Sequence, residues 1–332
     1  MAKRLILSWL LSLGVCAAAL AQAASPSANA AALLAEVQRC KGVLAALKLS
    51  NDEQQNYVAL LTRAERAARA EHVYLGLHIL QNVAPVLGGH EFQQAKAEIA
   101  KAGQAAFDEE WRRVGTVLTA RQRRLAAAPR LPLVVQAIFE RSLTQVQPNY
   151  QASPLYGQQT SLEYGLFYLG LAQGQMDFAA FCRRLKFAAA TTPLRSPASA
   201  LAAMEQAVLD AYRQFDAPAQ HSAFIRVNSL LKVAQDLTQE RRASGVWLQT
   251  LEARRALTAI LVADAENQSA ADLRTQSATV RARLTQAGGD QSLGWLYWQM
   301  AETTLATDDL KQANAILRHV LPHYFNALTR NK

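Results

Sequence analysis

The sequence predicts an all-α protein of about twelve amphipathic helices stacked as antiparallel hairpins. Three observations predict it. Apolar side chains recur every three to four positions along nearly the whole chain after residue 30. No run of β-branched residues alternates with polar ones long enough to compete as a strand. The punctuation is sparse, with 15 Gly and 10 Pro in 332 residues, so the turns between helices must be short. A composition 51% hydrophobic and 18% charged, with 3 Cys, excludes both a disordered chain and a disulfide-stapled miniprotein.

The first element is not structural. Met1-Ala2-Lys3-Arg4, the apolar run Leu5 to Leu20 and the small residues Ala21-Gln22-Ala23 have the order of a secretory signal, with cleavage expected after Ala23. The mature chain is therefore expected in the periplasm or secreted. It loses Lys3 and Arg4 and keeps 33 basic and 26 acidic side chains. It also keeps Cys40 and Cys182, which fall in amphipathic helices where a free cysteine packs as a small hydrophobe; the alternative is a bridge closing a long loop.

Residues 24–332 read as one helical region, with a possible subdivision at 147–160. The periodicity predicts helices over 30–48, 52–83, 90–127, 131–146, 161–174, 177–190, 198–215, 219–242, 245–267, 270–287, 291–306 and 308–328. Ser50-Asn51-Asp52-Glu53 forms a capping box, and Pro132, Pro197 and Pro218 sit where a first turn tolerates a missing N–H. Gly88-Gly89 and Gly288-Gly289 read as turns between helices. Thr160-Ser161-Leu162-Glu163 has the spacing of a second capping box, which gives Glu163 a structural task.

In the last pair, Leu310, Ala313, Leu317, Val320, Leu321, Tyr324 and Leu328 mark one face. Tyr297, Ala301 and Thr304 stand where a first helix packs, Ala313 where a second helix needs a small residue, and Pro322 near a terminating proline. Residues 291–328 thus resemble a tetratricopeptide-type repeat. The resemblance implies a repeat-like solenoid with a concave binding surface; a closed helical bundle or α/α toroid is the alternative.

Charge is concentrated in the middle. Segment 111–204 holds 11 basic and 3 acidic residues, against 8 and 10 in 24–110 and 14 and 13 in 205–332. Arg112, Arg113, Arg121, Arg123, Arg124 and Arg130 occur with no acid between Glu110 and Glu140, and Arg183 and Arg184 with none between Asp177 and Glu205. Helical projection puts Arg113, Arg121 and Arg124 near one face and Arg112 and Arg123 on another. Such arginines suit planar carboxylates or phosphates that accept two hydrogen bonds. The competing explanation is a solvated helix face.

Beside this patch, Gln147 to Gln159 is the longest stretch without helical periodicity and reads as an irregular loop. It carries Tyr150, Tyr156, Gln158 and Gln159, which offer flat apolar faces with donors and acceptors. The expected ligand-binding set is therefore Arg112, Arg113, Arg121, Arg124, Tyr150, Tyr156, Gln158, Gln159, Arg183 and Arg184.

There is no CxxC, HExxH, GxSxG, phosphate-binding glycine loop or dinucleotide fingerprint, so no cofactor and no metal is expected. His319 and His323 have metal-like spacing, but Pro322 lies between them. Expected partners are an anionic glycan, a lipid headgroup at a membrane periphery or an acidic envelope protein, and export argues against nucleic acid. The leading expectation is an exported non-enzymatic binding or scaffold protein. The alternative is a periplasmic lyase-like enzyme on a toroid acting on an acidic polysaccharide, although the Asn-Asn-His block of such lyases is missing.

Overall fold

The computed structural model describes residues 27–126, 131–187, 196–214, 220–261 and 268–329. The signal segment, Arg130 and Pro218 lie outside the described residues. The described chain is all-helical, with no strand. Its helices are α1 (Ala28–Ala46), α2 (Asn51–Arg69), α3 (Val73–Leu80), α4 (Ala84–Ala95), α5 (Ala97–Ala102), α6 (Gln104–Ala126), α7 (Leu133–Gln159), α8 (Leu162–Arg184), α9 (Ala198–Gln214), α10 (His221–Gln239), α11 (Ala243–Leu261), α12 (Ala270–Gln286), α13 (Ser292–Ala306) and α14 (Leu310–Ala315); a π-helical turn (Ile316–Val320) then leads into α15 (Leu321–Thr329). No described helix is long and apolar enough to cross a membrane.

Several boundaries differ from the sequence reading, each for a local reason. The predicted helix 52–83 breaks at Glu71, which adopts φ +60° while His72 N–H donates to Ala67 O at 2.8 Å. This is a left-handed helix cap built without glycine. Arg241 and Asp308 close α10 and α13 in the same way, at φ +58° and +59°. Ser50 caps α2 with the expected capping box. At α8 the cap is shifted by one: Ser161 accepts from Tyr164 N–H, and Glu163 is not its partner.

Gly88 and Gly89 are not a turn. They lie inside α4, and the predicted break near Gly174 is also absent, because α8 runs unbroken from Leu162 to Arg184. The two helices meet through their missing side chains. A Cβ on Gly174 would stand 2.6 Å from Pro85 O, and one on Gly170 would stand 3.0 Å from Gly89 O. Glycine here removes bulk so that two backbones can touch. Gly289, at φ +78°, does lie in the turn expected of it.

The segment expected to be an irregular loop at 147–159 is the C-terminal half of α7, with Pro148 and Pro154 inside the helix. A proline at 154 cannot donate to Tyr150 O, four residues back. That carbonyl instead accepts from the indole N–H of Trp111 on α6, at 3.1 Å. Ser153 Oγ donates to Gly165 O at 2.8 Å and ties α7 to α8 as an antiparallel hairpin.

Most apolar side chains form one core. A second core joins Leu201, Met204 and Val208 of α9, Phe224, Val227 and Leu231 of α10, and Val246, Ala253, Leu257 and Ile260 of α11. Helix α11 belongs to both, since its Trp247, Leu248 and Leu251 face the larger core. The hairpin α13 to α15 buries Tyr297, Ala301, Ala313, Leu317, Leu321 and Tyr324. Its π turn ends two residues before Pro322, where a regular ladder would lose a donor and meet a ring clash. Cys40 and Cys182 are buried free thiols, and burial pushes both up to about 12.

Candidate functional site

Helix α6 sets out the site. Arg112 and Arg123 are eleven residues apart, three turns plus about 20°, so both emerge on one side about 16 Å apart along the axis. They line a groove of about 710 Å³ together with Gly115, Thr116, Leu118, Thr119, Ala120 and Gln122 of α6 and Gln147 and Tyr150 of α7. The groove exists because the two helices are held together. Tyr150 stacks on Trp111 at a ring separation of 4.8 Å and donates its hydroxyl to Trp111 O at 3.2 Å. Gly115 leaves room for that hydroxyl, since a Cβ there would lie 2.2 Å from it.

Electrostatics divides the arginines of this helix into two groups. Arg113 is spent on Glu110, with two hydrogen bonds of 2.6 Å, and Lys96 approaches the same carboxylate at 3.4 Å. These cations hold Glu110 below the usual carboxylate range. Arg121 pairs with Asp177 of α8 at 2.5 Å. Arg112, Arg123 and Arg124, all exposed, form no ion pair among the described residues; Arg112 Nε donates only to Asp108 O of its own helix.

Of the ten residues expected at the site, two, Arg112 and Tyr150, line the groove. Arg113 and Arg121 are neutralised beside it, and Arg124 is exposed farther along α6. Tyr156 packs on Tyr168 at 4.3 Å and edge-on to Tyr164 at 5.4 Å, forming a separate aromatic cluster. Gln158 and Gln159 are exposed at the end of α7. Arg183 lies over the Phe139 ring at 4.1 Å and Arg184 over Phe181 at 5.8 Å, so these two dress the far end of α8.

Five polar residues of the groove, Thr116, Thr119, Gln122, Arg123 and Gln147, fall outside the expected set; Thr116, Thr119 and Arg123 follow from Arg112 by spacing. From Arg112, steps of four, three and four residues reach Thr116, Thr119 and Arg123 on one stripe.

A second polar cluster is buried, and no sequence motif marks it. Glu252 of α11 accepts from Tyr297 hydroxyl at 2.9 Å and from Arg255 Nη2 at 2.9 Å, with His78 Nε2 at 4.0 Å. Although burial opposes it, the positive charge of Arg255, with hydrogen bonds from Arg255 and the Tyr297 hydroxyl, holds Glu252 down at about 2. Burial lowers His78 and raises the Tyr297 hydroxyl well above its ordinary range. The sequence signals this cluster only through Glu252 and Arg255, three apart on one helix. No group of three or more His, Cys, Asp or Glu able to hold a metal occurs among the described residues.

Fold and groove together define an all-helical protein with a basic, solvent-facing groove between two packed helices. Compared with family models, curated proteins and solved structures, the chain matches none of them.

Proposed function

We propose that the chain is an exported binding protein whose α6–α7 groove takes an anionic partner. One observation carries this reading: neither arginine that lines the groove is neutralised by an acid among the described residues, while Arg113 and Arg121 beside them are paired. The groove's tyrosine supports binding over proton transfer, since its hydroxyl is bonded to Trp111 O. The signal-like N-terminus supports export.

The test is capture of the purified protein on polygalacturonate, polyphosphate, anionic vesicles and neutral dextran at low and high salt. The expected result is salt-sensitive retention on an anionic surface, lost in the Arg112→Ala, Arg123→Ala double variant and kept in Arg113→Ala. Equal retention of the double variant would overturn the reading.

A further inference from the structure

Resting on the reading of the groove as an anion site, we infer that its ligand is a linear acidic polysaccharide, with carboxylates at Arg112 and Arg123 and sugar hydroxyls against Thr116 and Thr119 between them. The chemistry between the two cations selects this ligand. Thr116 donates its hydroxyl proton to Arg112 O at 3.1 Å, and Thr119 donates its own to Gly115 O at 2.9 Å. Each hydroxyl therefore presents lone pairs outward and no proton. A phosphate or sulfate lying across this stretch would meet acceptors with acceptors. A hydroxyl-bearing chain would donate to them.

The remaining polar lining, Gln122 and Gln147, is neutral and both donates and accepts, which also suits alcohols. Positive charge is confined to the two ends of the stripe, about 16 Å apart. That pattern fits a chain that carries hydroxyls along its whole length, as a uronate polymer does; a polyphosphate rod would offer the threonines no donor. The planar guanidinium is the side chain that pairs a carboxylate through two parallel hydrogen bonds. A membrane surface is a poorer fit, because a concave groove cannot follow a plane of headgroups.

Calorimetric titration with galacturonate oligomers of increasing length, and with polyphosphate of matched total charge, tests this. Affinity is expected to rise at least about tenfold once the oligomer is long enough to reach both arginines, with loss of either Arg112 or Arg123 returning it to the short-oligomer value. Thr116→Val with Thr119→Val should weaken the long oligomer severalfold and leave polyphosphate unchanged; an unaltered melting temperature excludes misfolding. Polyphosphate binding as tightly as the long oligomer, with the same dependence on both arginines, would overturn the glycan while sparing the anion groove. Absence of binding by either would overturn both. Affinity for galacturonate independent of length would overturn the two-ended arrangement and with it this inference.

Discussion

The molecule treats arginine in two opposite ways. In the groove, Arg112 and Arg123 stand exposed with no acid in ion-pair range among the described residues. Around Glu252, Arg255 is largely buried and matched, with His78 and the Tyr297 hydroxyl completing the shell of one carboxylate. Water can solvate an unpaired guanidinium at little cost, whereas an unpaired charge in the interior costs several kcal/mol. The difference teaches that charge number alone says little about function. What matters is whether the fold has already satisfied each cation.

Breaking the buried side of the comparison should have the largest effect. Glu252→Gln leaves Arg255 facing a neutral amide in a low-dielectric site and should cost about 3–5 kcal/mol in denaturant unfolding. A loss below about 1 kcal/mol would mean that the cluster is solvated and that the contrast is false.

Acid probes the same cluster without mutation. Glu252 is held at about 2, below its ordinary 4.5, so its contribution is complete above pH 4.5 and fades as the pH falls toward 2. Burial holds His323 at about 4 instead of 6.5 and lowers His78 as well. The folded protein keeps these rings neutral while the unfolded chain takes up protons, so stability should begin to fall below pH 6.5 and keep falling through pH 4. Melting temperatures between about pH 8 and 3 check this. A flat profile from about pH 7 to 5 would contradict the assignment of the histidines.

The wall of the groove comes next. Trp111→Phe keeps the stacking on Tyr150 but withdraws the donor from Tyr150 O, the carbonyl that Pro154 orphans. The expected cost is about 1–3 kcal/mol, with weakened polyanion binding, measured by denaturation and by retention on polygalacturonate.

The smallest effect on stability should come from the groove cations themselves. Arg112→Ala with Arg123→Ala is expected to shift unfolding by no more than about 0.5 kcal/mol while abolishing salt-sensitive capture. A large loss of stability would assign these arginines to the scaffold.

How much of this is legible in the sequence depends on the range of the interactions involved. Helix existence follows from local periodicity, and Ser50-Glu53 is readable because a capping box is complete within four residues. The break at Glu71 is not, because its left-handed cap carries no glycine to announce it. By every local rule the prolines of α7 read as helix breakers. At Pro154 the helix continues because a tryptophan 39 positions before Tyr150 supplies the donor that the proline lacks. Gly88 and Gly174 likewise read as punctuation until the opposing backbone is in place. For the site, projection places Arg112 and Arg123 on a shared face. The i,i+3 spacing also makes the Glu110–Arg113 pair readable, but nothing local shows that Asp177, from another helix, neutralises Arg121. Of the Glu252 cluster only the local Glu252–Arg255 pair is readable in sequence, because tertiary packing alone brings His78 and Tyr297 to it.

Helix α11, whose opposite faces belong to the two cores, ties their fates together. If α9 and α10 peel away, Val246, Leu257 and Ile260 are stripped to water on the same rod whose other side holds Trp247 and Leu251. Neither layer can melt alone without weakening the helix the other depends on, so heat should take the molecule apart in a single step and leave no durable half.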